Sequence, residues 1–144
     1  MLSFLIKKGD FFMKKPLSLL LITACIFLLF SACNKPETYV IKETDEFVII
    51  KCYDDSNGKK LVEVMDGLDD DFFIKNGMVE SINGLENAID WSSAWMLYTD
   101  DEELSNTAWG TIEYQGNVYA SAIYGAEELT VKSGCTYVWV YKYF

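Results

Sequence analysis

The sequence predicts an α+β fold in which one main helix packs on one face of a mixed sheet. One segment, residues 60–72, has apolar residues at helical spacing. Five or six other segments are rich in Val, Ile and aromatic residues, and glycine-containing turns separate them. A single helix combined with that many strands is typical of an α+β domain.

The predicted helix depends on a stripe of apolar residues. Its members lie at positions i, i+3, i+4, i+7 and i+11, and they are Leu61, Val64, Met65, Leu68 and Phe72. Gly67 lies inside this segment and costs about 1 kcal/mol relative to alanine in a helix interior. Val62 and Val64 would equally suit a short strand, so a strand remains the alternative.

Strand composition and turn signals predict the sheet. The predicted strands are residues 47–53, 78–82, 95–99, 109–114, 118–124 and 136–143. Asn76-Gly77 precedes the predicted strand at residues 78–82, Asn83-Gly84 is predicted as a turn after it, and residues 115–117 form the turn of the one clear hairpin. In the last strand, side chains alternate so that Tyr137, Trp139, Tyr141 and Tyr143 share one face.

The N-terminal residues resemble the signal peptide of a bacterial lipoprotein. Lys14 and Lys15 precede an apolar run at residues 17–30, and Ser31-Ala32 lead to Cys33, as in a lipobox. A membrane span is the alternative, but a spanning helix needs about 20 apolar residues and this run ends at Cys33. We therefore expect a signal peptide at residues 13–32, lipid on Cys33, and an extracytoplasmic protein that Cys33 anchors to the cell membrane at the cell surface.

The rest of the chain is predicted to consist of a misassigned start, a tether and one domain. Residues 1–12 precede a second methionine, Met13, and we interpret them as a misassigned start. Residues 33–46 are mostly polar and are interpreted as a tether. Residues 47–144 have room for one domain with a modest core.

The charge composition excludes several function classes. All twelve basic residues are lysines, and the chain has neither Arg nor His. Residues 33–144 carry 8 lysines and 21 acidic residues, a net charge of 8 − 21 = −13. Nucleic-acid binding is not expected, because it needs a basic surface that displaces counterions. Histidine-dependent nucleophilic catalysis and His-ligated zinc are excluded as well.

The acidic residues do not predict an enzyme or a metal site. Glu102, Glu103, Glu127 and Glu128 could suggest a two-carboxylate glycosidase, but charge runs of this kind are usually solvated loops. Residues 54–58 and 100–103 lack the ligand spacing of a calcium loop. We therefore expect no catalytic residue, no metal and no cofactor.

Two cysteines remain after the signal peptide and Cys33. Cys52 and Cys135 could form a disulfide outside the cytoplasm, which would add about 4 kcal/mol of stability by the chain-entropy estimate. The alternative is a pair of separate buried thiols, since cysteine packs as a small apolar residue.

The order of landmarks from residue 78 onward is similar to a known family. Its landmarks are residues 81–84 (Ser-Ile-Asn-Gly), 95–98 (Trp-Met-Leu-Tyr), 125–126 (Gly-Ala), 131–134 (Val-Lys-Ser-Gly) and 139–141 (Trp-Val-Tyr). Together they resemble the transcobalamin-like C-terminal domain family. The resemblance implies a β-grasp-like fold for residues 47–144 and a corrinoid as a candidate ligand. Residues 100–124 depart from the family pattern and predict an inserted β-hairpin, and Gly134-Cys135 replaces the family's Gly-Asp.

Aromatic residues are the candidate binding residues. Trp and Tyr join a large apolar face to a polar group, and such side chains can form a platform for a sugar or the edge of a macrocycle. The candidates are Trp91, Trp95, Tyr98, Trp139 and Tyr141. The alternative for each is that it fills the core. The sequence thus predicts a non-catalytic binding module for a small molecule, such as a corrinoid, or for a surface glycan. The alternative is a structural or protein-interaction module with another envelope protein as its partner.

Overall fold

The computed structural model of this protein describes residues 35–68 and 70–144. The predicted signal peptide at residues 13–32, the predicted lipid attachment at Cys33 and the start assignment at residues 1–12 all lie outside the described residues. Within the described part of the chain, no helix is both long enough and apolar enough to cross a bilayer.

The described residues form two antiparallel sheets. The strands are β1 (Tyr39–Thr44), β2 (Phe47–Lys51), β3 (Phe72–Lys75), β4 (Met78–Ile82), β5 (Leu85–Glu86), β6 (Ser93–Thr99), β7 (Ser105–Tyr114), β8 (Asn117–Ala122) and β9 (Thr136–Tyr143). The main sheet has six strands in the order β1-β2-β9-β6-β8-β7, and the small sheet has three in the order β3-β4-β5. One short helix, α1 (Leu61–Asp66), lies between β2 and β3.

The predicted α+β, β-grasp-like fold is wrong, because the described chain is mostly β. The helix predicted at residues 60–72 is only six residues long in the structure, where it is α1. Gly67 ends it as the C-cap, and the acidic residues that follow are unfavourable at the negative end of a helix dipole. Phe72 leaves the helical stripe and begins β3, where aromatic and β-branched residues suit a pleated surface. No main helix therefore covers the sheet in the described residues, and the sheets are antiparallel rather than mixed.

The local turn chemistry explains the β3–β4, β4–β5 and β7–β8 hairpins. Each has a two-residue loop with positive φ at both positions, which is the type I′ turn that matches the twist of the flanking strands. The loops are Asn76-Gly77, Asn83-Gly84 and Gln115-Gly116. The predicted strands at residues 78–82 and 136–143 correspond to β4 and β9.

Two segments contribute more to the sheet than the sequence predicted. The β7–β8 hairpin, expected as an insertion, forms one side of the main sheet, with β8 paired to β6. Residues 39–44, part of the segment interpreted as a tether, form β1 and pair with β2. The sheet therefore begins at Tyr39 rather than at Phe47.

The main core lies on one face of the six-stranded sheet. Side chains of Val48 and Ile50 from β2, and of Tyr137 and Trp139 from β9, point into it. Helix α1, the small sheet and the segment of residues 126–131 cover this face, and they contribute Leu61, Val64, Met65, Val79, Ile82, Ala126, Leu129 and Val131.

A smaller apolar cluster fills the other face, because the sheet curls over it. Ile49, Tyr98, Tyr119 and Val138 are buried there. The ring centroids of Phe47 on β2 and Tyr114 on β7 lie 5.2 Å apart. The Tyr114 hydroxyl also donates a hydrogen bond to Glu43 on β1. Contacts between the two edge strands, β1 and β7, show that the sheet is bent towards a barrel.

Candidate functional site

A groove of about 440 Å³ opens where β6 and β8 separate. Strand β6 pairs with β9 along its whole length, but it pairs with β8 only at Tyr98 and Thr99. The rest of β6, through Ala94–Leu97, faces the chain after β8 and the start of β4 across the groove. The separation of two strands in one sheet thus creates the concave surface, and a cavity of this size is in the range of small-molecule sites.

Asn87 closes the exposed edge of β6 and links it to the small sheet. Its Oδ1 accepts a hydrogen bond from the Trp95 backbone N–H at 2.8 Å, and its Nδ2 donates to the Val79 carbonyl at 2.8 Å. The neighbouring Ala88 N–H donates to the Ser93 carbonyl at 2.9 Å. These bonds occupy backbone groups of β6 that an added strand would need. The groove is therefore suited to a small ligand rather than to the addition of a β-strand.

The lining of the groove carries no charged side chain. This is unusual for residues 33–144, where 21 of the side chains are acidic and 8 are lysines. Burying a charge without a partner is costly, whereas uncharged polar groups need only a hydrogen bond. The groove is therefore suited to an uncharged ligand or to the uncharged part of a larger one.

Trp95 forms a fixed wall of the groove. Its indole Nε1 donates a hydrogen bond to the Leu85 carbonyl at 2.8 Å. Its ring meets Tyr141 edge to face, with centroids 5.3 Å apart. The Tyr141 hydroxyl in turn donates to the Glu86 carbonyl and bonds to the Ser93 hydroxyl. Since every polar group of this pair has a partner, Trp95 offers only an aromatic surface.

Trp139 differs from Trp95 because its polar group has no partner among the described residues. The side chain lines the groove and is only 4% exposed, and its buried Nε1–H makes no hydrogen bond. Most buried donors in folded proteins are bonded, and an unbonded one costs about 1–3 kcal/mol. Trp139 therefore lines the groove with its side chain, while its donor is buried and unbonded.

Trp91 stands at the mouth in a strained conformation. Its φ of +61° lies in the left-handed region, which a bulky residue rarely adopts, and 58% of its surface is exposed. Hydrogen bonds hold the turn, since the Trp91 N–H donates to the Ala88 carbonyl at 3.0 Å. Asp90 Oδ1 accepts from both the hydroxyl and the N–H of Ser92, and these bonds lower the pKa of Asp90. The turn thus keeps an indole ring in solvent at a cost in backbone energy.

The groove brings together three of the five candidate binding residues. Trp91, Trp95 and Trp139 line it. Tyr98 lies on the opposite face of the sheet, with Lys142 Nζ 5.0 Å from the centre of its ring. Tyr141 is buried behind Trp95 and supports it.

Several lining residues were not among the candidates. Tyr124 is 45% exposed beside the groove, and Phe144 lines it after β9 ends. Met78 and Asn87 line the groove as well. The first two are aromatic and could have been included on composition alone. No sequence pattern marked Asn87 as a functional residue, because a single Asn in a polar loop does not indicate which sheets it links.

Cys52 and Cys135 lie opposite each other, where β2 and β9 would pair next. The Cys52 N–H donates to the Cys135 carbonyl at 3.1 Å. Cys52 is buried in the main core, and Cys135 is partly buried and packs against it. Both cysteines are free thiols, and burial raises the pKa of Cys52 to about 12. The predicted disulfide stays a prediction.

No family model matches the chain, and neither a curated protein nor a solved structure matches it. The resemblance to the transcobalamin-like C-terminal domain family therefore stays a prediction.

Proposed function

We propose that this protein is a lipid-anchored, non-catalytic binding module outside the cytoplasm, and that its groove binds an uncharged small molecule or surface glycan. Anchoring follows from the lipobox-like pattern that ends at Cys33. The observation that carries the binding proposal is the groove of about 440 Å³, whose lining has no charged side chain and includes the exposed indole of Trp91.

The chemistry of the groove favours an uncharged ligand with an apolar face. Trp91 and Tyr124 present exposed aromatic surface at the mouth. A sugar ring can stack on such a surface through its C–H groups. A neutral glycan therefore fits the uncharged, mostly apolar walls of the groove.

A corrinoid fits less well than a glycan. The resemblance that suggested it also implied a β-grasp-like fold, which the described residues do not have. A groove of about 440 Å³ would hold only an edge or a side group of so large a macrocycle. We keep a corrinoid as a comparison ligand in the test.

The test is a fluorescence titration of the full-length protein in detergent with neutral glycans and a corrinoid. Trp91→Ala should abolish a saturable change in tryptophan fluorescence, because it removes the exposed indole at the mouth. Trp109→Ala is the matched control, since Trp109 is 63% exposed on β7 and does not line the groove. Equal loss in both variants, or no response to any ligand, would reject the proposal.

Exposed apolar residues next to the groove favour a second candidate, a module that binds another envelope protein. Phe73, Met78 and Ile89 are exposed there, and exposed apolar patches often mark protein interfaces. Affinity capture from membranes separates the two candidates. A stoichiometric protein partner, lost on Ile89→Asp and found without any glycan response, would favour this one.

A further inference from the structure

A β-bulge at one end of the main sheet joins Cys52 to Cys135. Strands β2 and β9 pair as far as Lys51 and Thr136, and the two cysteines come next. The Cys52 N–H donates to the Cys135 carbonyl at 3.1 Å, and the Cys52 carbonyl accepts from the Gly134 N–H at 2.9 Å. Gly134 has a φ of +84°, so Gly134 and Cys135 together oppose Cys52 in a bulge of the G1 type. The bulge therefore fixes the backbones of the two cysteines against each other.

The two cysteine side chains point to the same face of the sheet. Side chains alternate along a strand, so Cys52 points the same way as Ile50. By the same rule Cys135 points the same way as Tyr137. Ile50 and Tyr137 are buried in the main core, where Cys52 is buried as well and Cys135 packs against the cluster. Residues bonded across an antiparallel pair have Cα atoms about 5.5 Å apart, within the range of roughly 4.4–6.8 Å that a disulfide requires.

A polar recess of about 220 Å³ gives access to this pair. Both cysteines line it, and Asp100, Asn117 and Thr136 supply part of its polar lining. Both are free thiols, so the structure shows the reduced state of the pair. Cys52 is only 1% exposed, whereas Cys135 is partly exposed. A small polar reagent that enters the recess therefore meets Cys135 first.

We propose that Cys52 and Cys135 form a disulfide by exchange with a small-molecule disulfide, and that Cys135 reacts first. The Cys135 thiolate attacks one sulfur of the reagent and releases the other half, which leaves a mixed disulfide on Cys135. Cys52 then attacks the Cys135 sulfur, and the second half of the reagent leaves. The two departing thiolates take up the two protons that the cysteines lose. In total, two protein thiols are oxidised to one disulfide, and the reagent is reduced to two thiols.

Only the supply of the oxidant depends on the proposed function. Disulfides form and persist mainly outside the cytoplasm, so oxidation in the cell rests on the proposed extracytoplasmic location. The exchange itself needs neither the lipid anchor nor a ligand in the groove. Its failure would therefore be distinguishable from failure of the ligand titration.

Peptide mapping of the wild type tests the pairing. The full-length protein in detergent is reduced, freed of reductant and equilibrated with oxidised glutathione. Trypsin should then release residues 52–59 linked to residues 133–142, because lysines precede and end both segments. Each segment contains one cysteine, so this product differs from any that involves Cys25 or Cys33. A mixed disulfide on Cys135 that persists without the linked product would overturn the proposal.

An unfolded control separates a prearranged pair from a chance encounter. The cysteines are 135 − 52 = 83 positions apart in the chain, whereas the folded backbone holds them opposite each other. In one glutathione buffer, the equilibrium ratio of disulfide to dithiol should be at least about tenfold higher in the folded protein than in urea. An equal or lower ratio in the folded protein would overturn the proposal.

The order of reaction is tested by a brief exposure of the wild type, stopped with acid. Glutathione should be found on residues 133–142 and not on residues 52–59. The single variants provide a second measurement, since Cys135→Ser leaves only the buried thiol. Cys52 in that variant should react at least about tenfold more slowly than Cys135 in Cys52→Ser, because its thiol is less accessible. Equal labelling of both segments in the wild type would overturn the proposed order, and that result does not depend on how well a variant folds.

Discussion

Trp91 combines an unfavourable backbone conformation with an exposed aromatic ring. A non-glycine residue in the left-handed region costs about 1–2 kcal/mol, because its Cβ lies too close to the backbone carbonyl. Exposure of 58% means that burial of the ring does not fully offset this cost. Residues of this kind cluster at functional sites, which is consistent with a role for Trp91 in binding.

Replacing Trp91 by glycine should destabilise the protein less than replacing it by alanine. Both variants lose the indole, but glycine adopts a φ of +61° without strain, so Trp91→Gly should be more stable than Trp91→Ala by about 1 kcal/mol. Urea denaturation of both variants measures the difference. The same pair at Trp109, in the extended strand β7, should show the opposite order. Alanine above glycine at both positions would contradict this prediction.

The two buried tryptophans of the groove should respond differently to removal of the indole nitrogen. Trp95→Phe leaves the Leu85 carbonyl without its donor, whereas Trp139→Phe removes a donor that has no partner among the described residues. The volume lost is the same, so Trp95→Phe should cost about 1 kcal/mol more stability than Trp139→Phe. Denaturation midpoints provide the measurement. An equal loss of stability in both variants would argue against this account of the two indoles.

At the scale of elements, the hairpins could be predicted because their signals are local. Asn76-Gly77 and Asn83-Gly84 adopt the left-handed conformations that their chemistry favours. Strand β9 could be predicted because its alternate residues face two different cores, Tyr137 and Trp139 on one side and Val138 on the other.

The helix and the groove depend on less local information. The apolar spacing from Leu61 to Phe72 was ambiguous, since Gly67 ends α1 and Phe72 packs against the same core from a strand. The groove depends on where β6 and β8 stop pairing, and residues far apart in sequence determine that point. Trp91, Trp95 and Trp139 were candidates because of their chemistry, while no pattern in the sequence indicated which aromatic residues would share a cavity.

Asn87 should be the most important polar link between the two sheets. Asn87→Ala leaves the Trp95 N–H and the Val79 carbonyl without partners, and we expect a loss of about 2 kcal/mol of stability. Asn57→Ala is the control, because Asn57 makes one exposed hydrogen bond, to the Ser133 N–H, and should lose less than about 1 kcal/mol. Urea denaturation measures both. Similar losses in the two variants would mean that Asn87 does not bridge the sheets in solution.

At the scale of the whole molecule, the buried titratable groups predict how stability changes in alkali. Burial raises the pKa of Cys52 to about 12, and it also raises the pKa values of Cys135 and Tyr137. The folded state therefore keeps protons that the unfolded chain releases above about pH 9. Stability should be constant with respect to these groups below that pH and should fall as the pH rises towards 12.

The slope of this decline can be assigned to one thiol. In the wild type the free energy of unfolding should fall by roughly 1 kcal/mol per pH unit between pH 9 and 11 because of Cys52, with smaller effects from the other groups. Cys52→Ala should reduce that slope, whatever its effect on stability at pH 7. Denaturant titrations at several pH values, under reducing conditions, measure the two slopes. Parallel slopes would show that Cys52 does not titrate differently in the folded state.

The register of the main sheet also determines at which end the protein can be immobilised without covering the groove. Tyr39 at the start of β1 lies in line with Lys51 and Thr136, at the end of the sheet where β9 begins. Phe144 lies past the other end of β9, about 25 Å away for a strand of this length, and it lines the groove. Immobilisation at the Tyr39 end of the main sheet would therefore leave the mouth of the groove open to solution, whereas immobilisation at Phe144 would obstruct it.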